Sequence, residues 1–356
     1  MTDAVYLQFL RYCLDDSQSV PENFEHMDWL SLYRFMQEQT LLGMAFHKFQ
    51  NEKLHINMPR ELLLKWLAVA EQIKQRNKQL NQKAVEICRQ LEADGFMCCV
   101  LKGQGNAAYY PYPYSRIPGD IDIWLAGGHD MILNYVKKKY GVLLERYHHV
   151  EIPPQEGISI ELHFTPSFMR TPWYNRRLQR WFKDNEAEQF HNIISLPDNA
   201  GEISVPTCSF NIVYQLQHLY SHFFTEGIGL RQFVDYYYLL KSWNTKSQKE
   251  LERTLRHLGL WKFAGAVMYV MRDVFALEEQ YMIAPIDERR GKTLLNEILK
   301  GGNFGQYLGL NNHNKIIKYF LMTQRNLRFI REYPAEALCE PVFRTWHFFW
   351  RMAHRS

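Results

Sequence analysis

Asp120 and Asp122 stand two residues apart in the run Arg116-Ile117-Pro118-Gly119-Asp120-Ile121-Asp122-Ile123. Ile121 between them and Ile123 after them read as a β-strand, in which alternate side chains share a face, so both carboxylates point the same way. Like charges held side by side on a buried face repel, and their burial is costly. A divalent cation removes that objection. Hard oxygen ligands suit Mg2+ (or Mn2+), which is commonly held by one or two carboxylates together with substrate phosphates. A second alternating run, Ile158 to Phe164, offers Glu161 as a third carboxylate from a neighbouring strand. His163 shares the face of Glu161 by the same alternation, where it either orients a ligand or finishes the strand against a polar neighbour.

Upstream, Phe96-Met97-Cys98-Cys99-Val100-Leu101 is a short apolar run that reads as a buried strand. It stops at Lys102-Gly103-Gln104-Gly105, and a helix-compatible stretch follows. A glycine turn between strand and helix lets backbone N–H groups approach a phosphate. Lys102 either neutralises phosphate charge there or faces solvent as an ordinary turn lysine. Arg116 suits bidentate phosphate contact, with a structural pair to Asp120 as the alternative. Phosphate cradle, cations and metal-binding carboxylates are the parts of phosphoryl or nucleotidyl transfer.

These residues carry a family resemblance. The chain resembles the nucleotidyltransferase superfamily of polymerase-beta-like fold, and within it the bacterial family usually called uncharacterised nucleotidyltransferases. The matching features are Leu101-Lys102-Gly103, Tyr112-Pro113, Arg116, Asp120-x-Asp122, Glu161-Leu162-His163 and Gly229-Leu230-Arg231…Asp235. The first turn reads Gly103-Gln104 where the superfamily carries Gly-Ser. The resemblance implies that Asp120, Asp122 and Glu161 are catalytic metal ligands. It implies phosphate or substrate contacts from Lys102, Gly103, Gln104, Gly105, Arg116, His163, Arg231 and Asp235. On spacing alone, Arg231 and Asp235 are an i, i+4 pair on a helix surface, which contributes little.

Other candidates carry less. His148-His149 has no cysteine partners at metal spacing and is not read as a zinc site. Tyr109, Tyr110, Tyr112 and Tyr114 either stack a base or pack on their own scaffold. Gly301 to Gly305 lacks the strand, the helix and the Lys-Ser/Thr of a phosphate-binding loop.

The flanking sequence is helical in pattern. Residues 1–95 show apolar positions at three-to-four spacing, most clearly from Arg60 to Asp94, where Leu63, Leu67, Ala70, Ile73, Leu80, Ala84, Ile87 and Leu91 mark one face. Asp94-Gly95 ends that helix. Between 96 and 206 a helix is expected over Met131–Tyr140, strands over Val142–Tyr147, His148–Ile152 and Ile158–Phe164, and a turn at Pro153–Gly157. Residues 207–356 are mostly helical again, over 209–224, 231–240, 247–258, 262–274, 291–299, 314–319 and 323–330, and end in an amphipathic basic stretch from Phe343. The fold class is therefore α+β. A small mixed-sheet core (96–206) holds the chemistry, flanked by an N-terminal (1–95) and a C-terminal (207–356) helical region.

Hydrophobic residues at 46% and charged residues at 22% are ordinary for a globular chain of 356 residues. A net charge of +4 permits a nucleic-acid partner without a clustered Lys/Arg footprint to require one. No run approaches a membrane span, and Met1-Thr2-Asp3-Ala4 opens no secretory signal, so a cytoplasmic protein with reduced thiols is expected. The expected activity is Mg2+-dependent transfer of a nucleotidyl group from an NTP, ATP first among them, to an acceptor hydroxyl. A small molecule, peptide or protein acceptor is favoured over a large nucleic acid. The alternatives are phosphoryl transfer by the same parts, or a nucleotide-binding regulator without turnover.

Overall fold

The computed structural model describes residues 2–15, 20–21, 24–51, 57–141, 144–244, 247–303, 306 and 314–353. After α1 (Thr2–Leu14), α2 (Trp29–Glu38) and α3 (Leu42–Asn51), the apolar stripe from residue 60 forms one helix, α4 (Arg60–Ala93). At 1.5 Å per residue it is roughly 51 Å long. Its first half buries Leu62, Trp66 and Ile73 among the other helices, with the Trp66 indole donating to the Leu42 carbonyl at 2.9 Å. Its second half buries Leu80, Ala84, Ile87 and Leu91 against a sheet. It ends at Gly95, whose φ of 92° is the left-handed conformation that glycine adopts without a Cβ penalty.

The next segments are β1 (Cys98–Leu101), the short α5 (Gly103–Ala107), β2 (Ile121–Leu125), α6 (His129–Tyr140), β3 (Leu144–Glu145), β4 (His149–Gln155) and β5 (Ile158–His163). They build a five-stranded mixed sheet of order β1-β2-β5-β4-β3. Only β2 and β5 run parallel. The alternation read from sequence decides what each face does. Ile121, Ile123, Val150, Ile152, Ile160 and Leu162 point into an apolar core with α4 and with Ile132 and Val136 of α6. The opposite face carries Asp122, Glu161, His163 and His149.

Then come α7 (Pro172–His191), a hairpin of β6 (Ile193–Leu196) and β7 (Gly201–Ser204), and helices α8 (Cys208–Phe224), α9 (Leu230–Lys241), α10 (Gln248–His257), α11 (Trp261–Phe275), α12 (Glu288–Gly301), α13 (Lys315–Leu327) and α14 (Pro334–Ala353). The early and late helices share one aromatic-rich core, from Phe9 and Trp66 to Phe263 and Tyr333. Arg11 Nε donates to the Val274 carbonyl at 3.0 Å and Tyr238 Oη to that of Leu14 at 3.1 Å, tying α1 to α9 and α11.

The α+β class and the mixed sheet agree with the sequence reading, and several boundaries differ. The strand expected from Val142 begins outside the described residues. β4 continues through Pro153-Pro154, where its register with β5 shifts between Ile152 and Gln155; prolines without a donor fit such an irregularity. The turn is narrower than expected, at Glu156-Gly157 with φ of 51° and 72°. Residues 314–330, read as two helices, hold a single one, α13. α7 and β6 have no counterpart in the sequence reading, whereas β7 overlaps the short extended segment that the sequence places at Ile203–Pro206. Of the 301–305 segment, residues 304–305 lie outside the described residues.

Candidate active site

The polar face of the sheet floors a cleft of about 540 Å3. Asp122 on β2 lies directly beside Glu161 on the parallel neighbour β5, and Glu161 pairs in turn with Glu151 on β4. One row up, His163 pairs with His149. Asp120 precedes the first residue of β2, is exposed, and lines the same cleft.

Asp122 is buried and fully engaged. Lys102 Nζ stands 3.1 Å from Oδ2, and His163 Nε2 stands 3.0 Å from Oδ1. Burial alone would raise this carboxyl; the Lys102 charge and the His163 hydrogen bond overcome it and hold Asp122 well below its ordinary value. His163 Nε2 also lies 3.4 Å from Glu161 Oε2. Burial would lower His163, but its bonds to Asp122 and Glu161 raise it. Asp120 meets the opposite situation. The Asp122 charge beside it, with partial desolvation, pushes it up to about 6. One ligand atom each from Asp122, Glu161 and His163 lies within 4.8 Å of the others, a donor set that fits a divalent cation.

The turn after β1 places Lys102 at φ 53° and ψ −139°, a backbone region a side-chain-bearing residue rarely occupies. That conformation turns the lysine toward the sheet face, where Asp122 is its partner. Lys102 and Gly103 line the cleft. Gln104 and Gly105, expected at the phosphate, are not among its lining residues. Gln104 borders a small separate cavity beside Asn77 and Tyr114, and the Cα of Gly105 packs against Val205, where an added Cβ would meet Cγ1 at 3.1 Å. A helix of one turn rotates its successive residues to different sides, so only part of the turn faces the site.

Arg116 and Asp235 line the cleft but are spent on each other. Arg116 Nε and Nη2 donate to the two Asp235 oxygens at 2.8 and 2.9 Å, and Tyr110 Oη donates to Oδ1 at 2.6 Å, all buried. The surface pair expected between Arg231 and Asp235 is thus replaced by a buried bidentate pair across two segments. The Asn77 amide holds the loop in place by donating to the Tyr114 and Arg116 carbonyls at 3.1 and 2.7 Å. Arg231 donates to the Ile117 carbonyl at 2.9 Å, and its Nε is buried without a partner at the cleft wall. The four tyrosines of residues 109–114 do not line the cleft; Tyr110 belongs to this anchor.

Several lining residues were not legible beforehand. Arg146, Arg170 and Arg344 line the cleft as ion pairs with Glu151, Glu336 and Glu340, and Tyr214, His218 and Ser221 on α8 form the wall opposite the sheet. Arg170 Nη1 donates to Ser221 Oγ at 2.9 Å. α14 closes one side with Phe343, whose ring lies 5.3 Å from Tyr147 and 5.1 Å from Phe168. Only the amphipathic, basic character of that helix hinted at a role.

A mixed sheet flanked by helices, with facing carboxylates on two parallel strands beneath a cleft lined by both arginines and carboxylates, is of the nucleotidyltransferase-like class. The chain belongs to the uncharacterised nucleotidyltransferase family, whose sequence model matches residues 25–276. A solved structure described as an antigenic nucleotidyltransferase-like protein from Paracoccidioides brasiliensis is similar with a TM-score of 0.34 at 11% identity, over 62% of this chain and 96% of that one. Comparison with curated proteins gives no match. No helix among the described residues is long and apolar enough to cross a membrane.

Proposed function

We propose that this protein transfers a nucleotidyl group from an NTP, ATP first among them, to an acceptor hydroxyl, with a divalent cation held by Asp120, Asp122 and Glu161. The observation that carries this reading is the side-by-side placement of Asp122 and Glu161 on β2 and β5, with Asp120 beside them at the cleft floor. Mg2+ or Mn2+ there supplies charge neutralisation for the triphosphate and for the departing pyrophosphate. Lys102 holds the compensating charge on Asp122 and is placed to share it with a phosphate. Arg231 turns an unpartnered Nε to the cleft for a phosphate oxygen, and Arg146, Arg170 and Arg344 would share with phosphate the charge they now give to Glu151, Glu336 and Glu340. An acceptor oxygen forms its bond to the α-phosphorus as the bond to the bridging oxygen breaks, and its proton passes to a carboxylate of the site. A cleft of about 540 Å3 closed on one side by α14 favours a small acceptor or a chain end over a duplex.

Calorimetry with each NTP and Mg2+, on the wild type and on Asp120→Ala/Asp122→Ala, tests this. Metal-dependent binding that the double variant loses is expected, followed by transfer of label from α-labelled nucleotide. Transfer from γ-labelled nucleotide alone would replace the reading with phosphoryl transfer. No binding of any NTP by the folded wild type would replace it with a role without turnover.

A further inference from the structure

The carboxylates are continuous with three imidazoles, and His163 among them already touches Asp122 and Glu161. His148, His149 and His163 come together from the start of β4 and the end of β5, with ring centroids 4.5 to 5.2 Å apart. One ring nitrogen from each lies within 4.8 Å of the other two. His148 Nε2 is 3.3 Å from His149 Nδ1, which is 3.5 Å from Glu161 Oε2, which is 3.4 Å from His163 Nε2. A tetrahedral ion with bonds of about 2.0–2.1 Å sets its ligand atoms about 3.3–3.4 Å apart, so neighbouring donors already stand near one edge length of such a site. His149 and His163 are more than nine-tenths buried, and the nitrogens that approach one another and Glu161 are His148 Nε2, His149 Nδ1 and His163 Nε2, the last also 3.0 Å from Asp122 Oδ1. Ring nitrogens turned toward one another and toward a carboxylate oxygen set lone pair against lone pair unless a proton or a cation stands between them.

We infer that His148, His149 and His163 with Glu161 form a centre for a borderline divalent transition ion, of which Zn2+ is the type, adjoining the carboxylate site through Glu161. The donor set decides the ion class. Imidazole suits Zn2+ and its neighbours in the transition series, whereas Mg2+ takes oxygen. The third imidazole arrives from a neighbouring strand, and for that reason the His148-His149 pair looked incomplete when judged by sequence spacing to cysteine. The centre shares Glu161 with the proposed transfer site, and metal binding without nucleotide reads it apart from the transfer reaction.

The test uses the full chain, stripped with chelator and titrated with Co2+ in the absence of nucleotide. Expected are one equivalent bound with the visible d–d absorption of a tetrahedral nitrogen-containing site, displacement by Zn2+ and persistence in excess Mg2+. His149→Ala and the half-buried, structurally milder His148→Ala should each weaken Co2+ by about tenfold or more, and Asp120→Ala should leave the absorption in place. Absence of the absorption at saturating Co2+, displacement by Mg2+ as readily as by Zn2+, or unchanged affinity in a His148→Ala protein with wild-type circular dichroism would each overturn the inference. The imidazoles would then be a hydrogen-bonded support for Glu161 and Asp122.

Discussion

Asp120 differs from its neighbour Asp122 in having no cation within bonding distance, and that difference sets a pH dependence. Its carboxyl is raised from 3.8 to about 6, first by the Asp122 charge and then by desolvation. The folded protein therefore holds this proton more tightly than the unfolded chain does. Below the unfolded value both states are protonated and the residue costs nothing; between about pH 4 and 6 the unfolded chain ionises first and stability is lost; above 6 the loss is complete. Asp120→Asn should raise the melting temperature of metal-free protein at pH 8, and by less at pH 5, with the gain reversed once saturating Mg2+ stabilises only the wild type. Equal melting of the two proteins at pH 8 would show that the repulsion is screened. At this scale Asp122, Glu161, His163 and Lys102 were legible in the sequence, because strand alternation and a turn are local patterns. The partner of Arg116 was not, because Asp235 lies far along the chain and only the fold brings it near.

The same pair governs how elements dock. Arg116 precedes β2 and Asp235 sits on α9, so their bidentate contact fixes the helix against the loop that leads into Asp120 and Asp122. Removing one partner leaves the other charge buried, which costs about 3–5 kcal/mol. Arg116→Ala and Asp235→Ala should each lower the urea midpoint accordingly, and Arg116→Met/Asp235→Leu should recover much of the loss. A single variant that loses less than about 1 kcal/mol would mean water reaches the pair. The elements themselves were read unevenly. α4, α8, α9 and α11 announce themselves by dense apolar periodicity. α7 buries only Leu178, Phe182, Gln189 and Phe190 along its twenty residues, too sparse a stripe to separate from loop. Only the far end of β4, Pro153 to Gln155, hid behind its two prolines, which ordinarily mark a turn.

Over the whole molecule, two cores meet along α4, and the cleft lies where the polar face of the sheet faces the late helices. No local pattern could show that α14, a long way from the carboxylates in sequence, closes the site. Buried Glu336 pins that helix, accepting from Thr171 Oγ1 at 2.8 Å and from the Arg170 backbone at 3.3 Å. Glu336→Ala strands those donors, a loss of about 1–3 kcal/mol. Hydrogen exchange should quicken across 334–353 while the amides of β2 and β5 keep their protection. Uniform quickening across the chain would instead show that α14 is inseparable from global stability.

The strands β2 and β5 carry one more consequence, which lies in their register. Side chains alternate between faces, so a slip of a single residue would send Asp122 and Glu161 into the apolar core and bring Ile121, Ile123, Ile160 and Leu162 out into the cleft. No intermediate alignment exists in which the site is half formed. The greasy face thus acts as a proofreader for the charged one: whatever holds those isoleucines against α4 and α6 also sets the spacing of the acidic groups, and mutations far from any reactant can corrupt the chemistry without touching it.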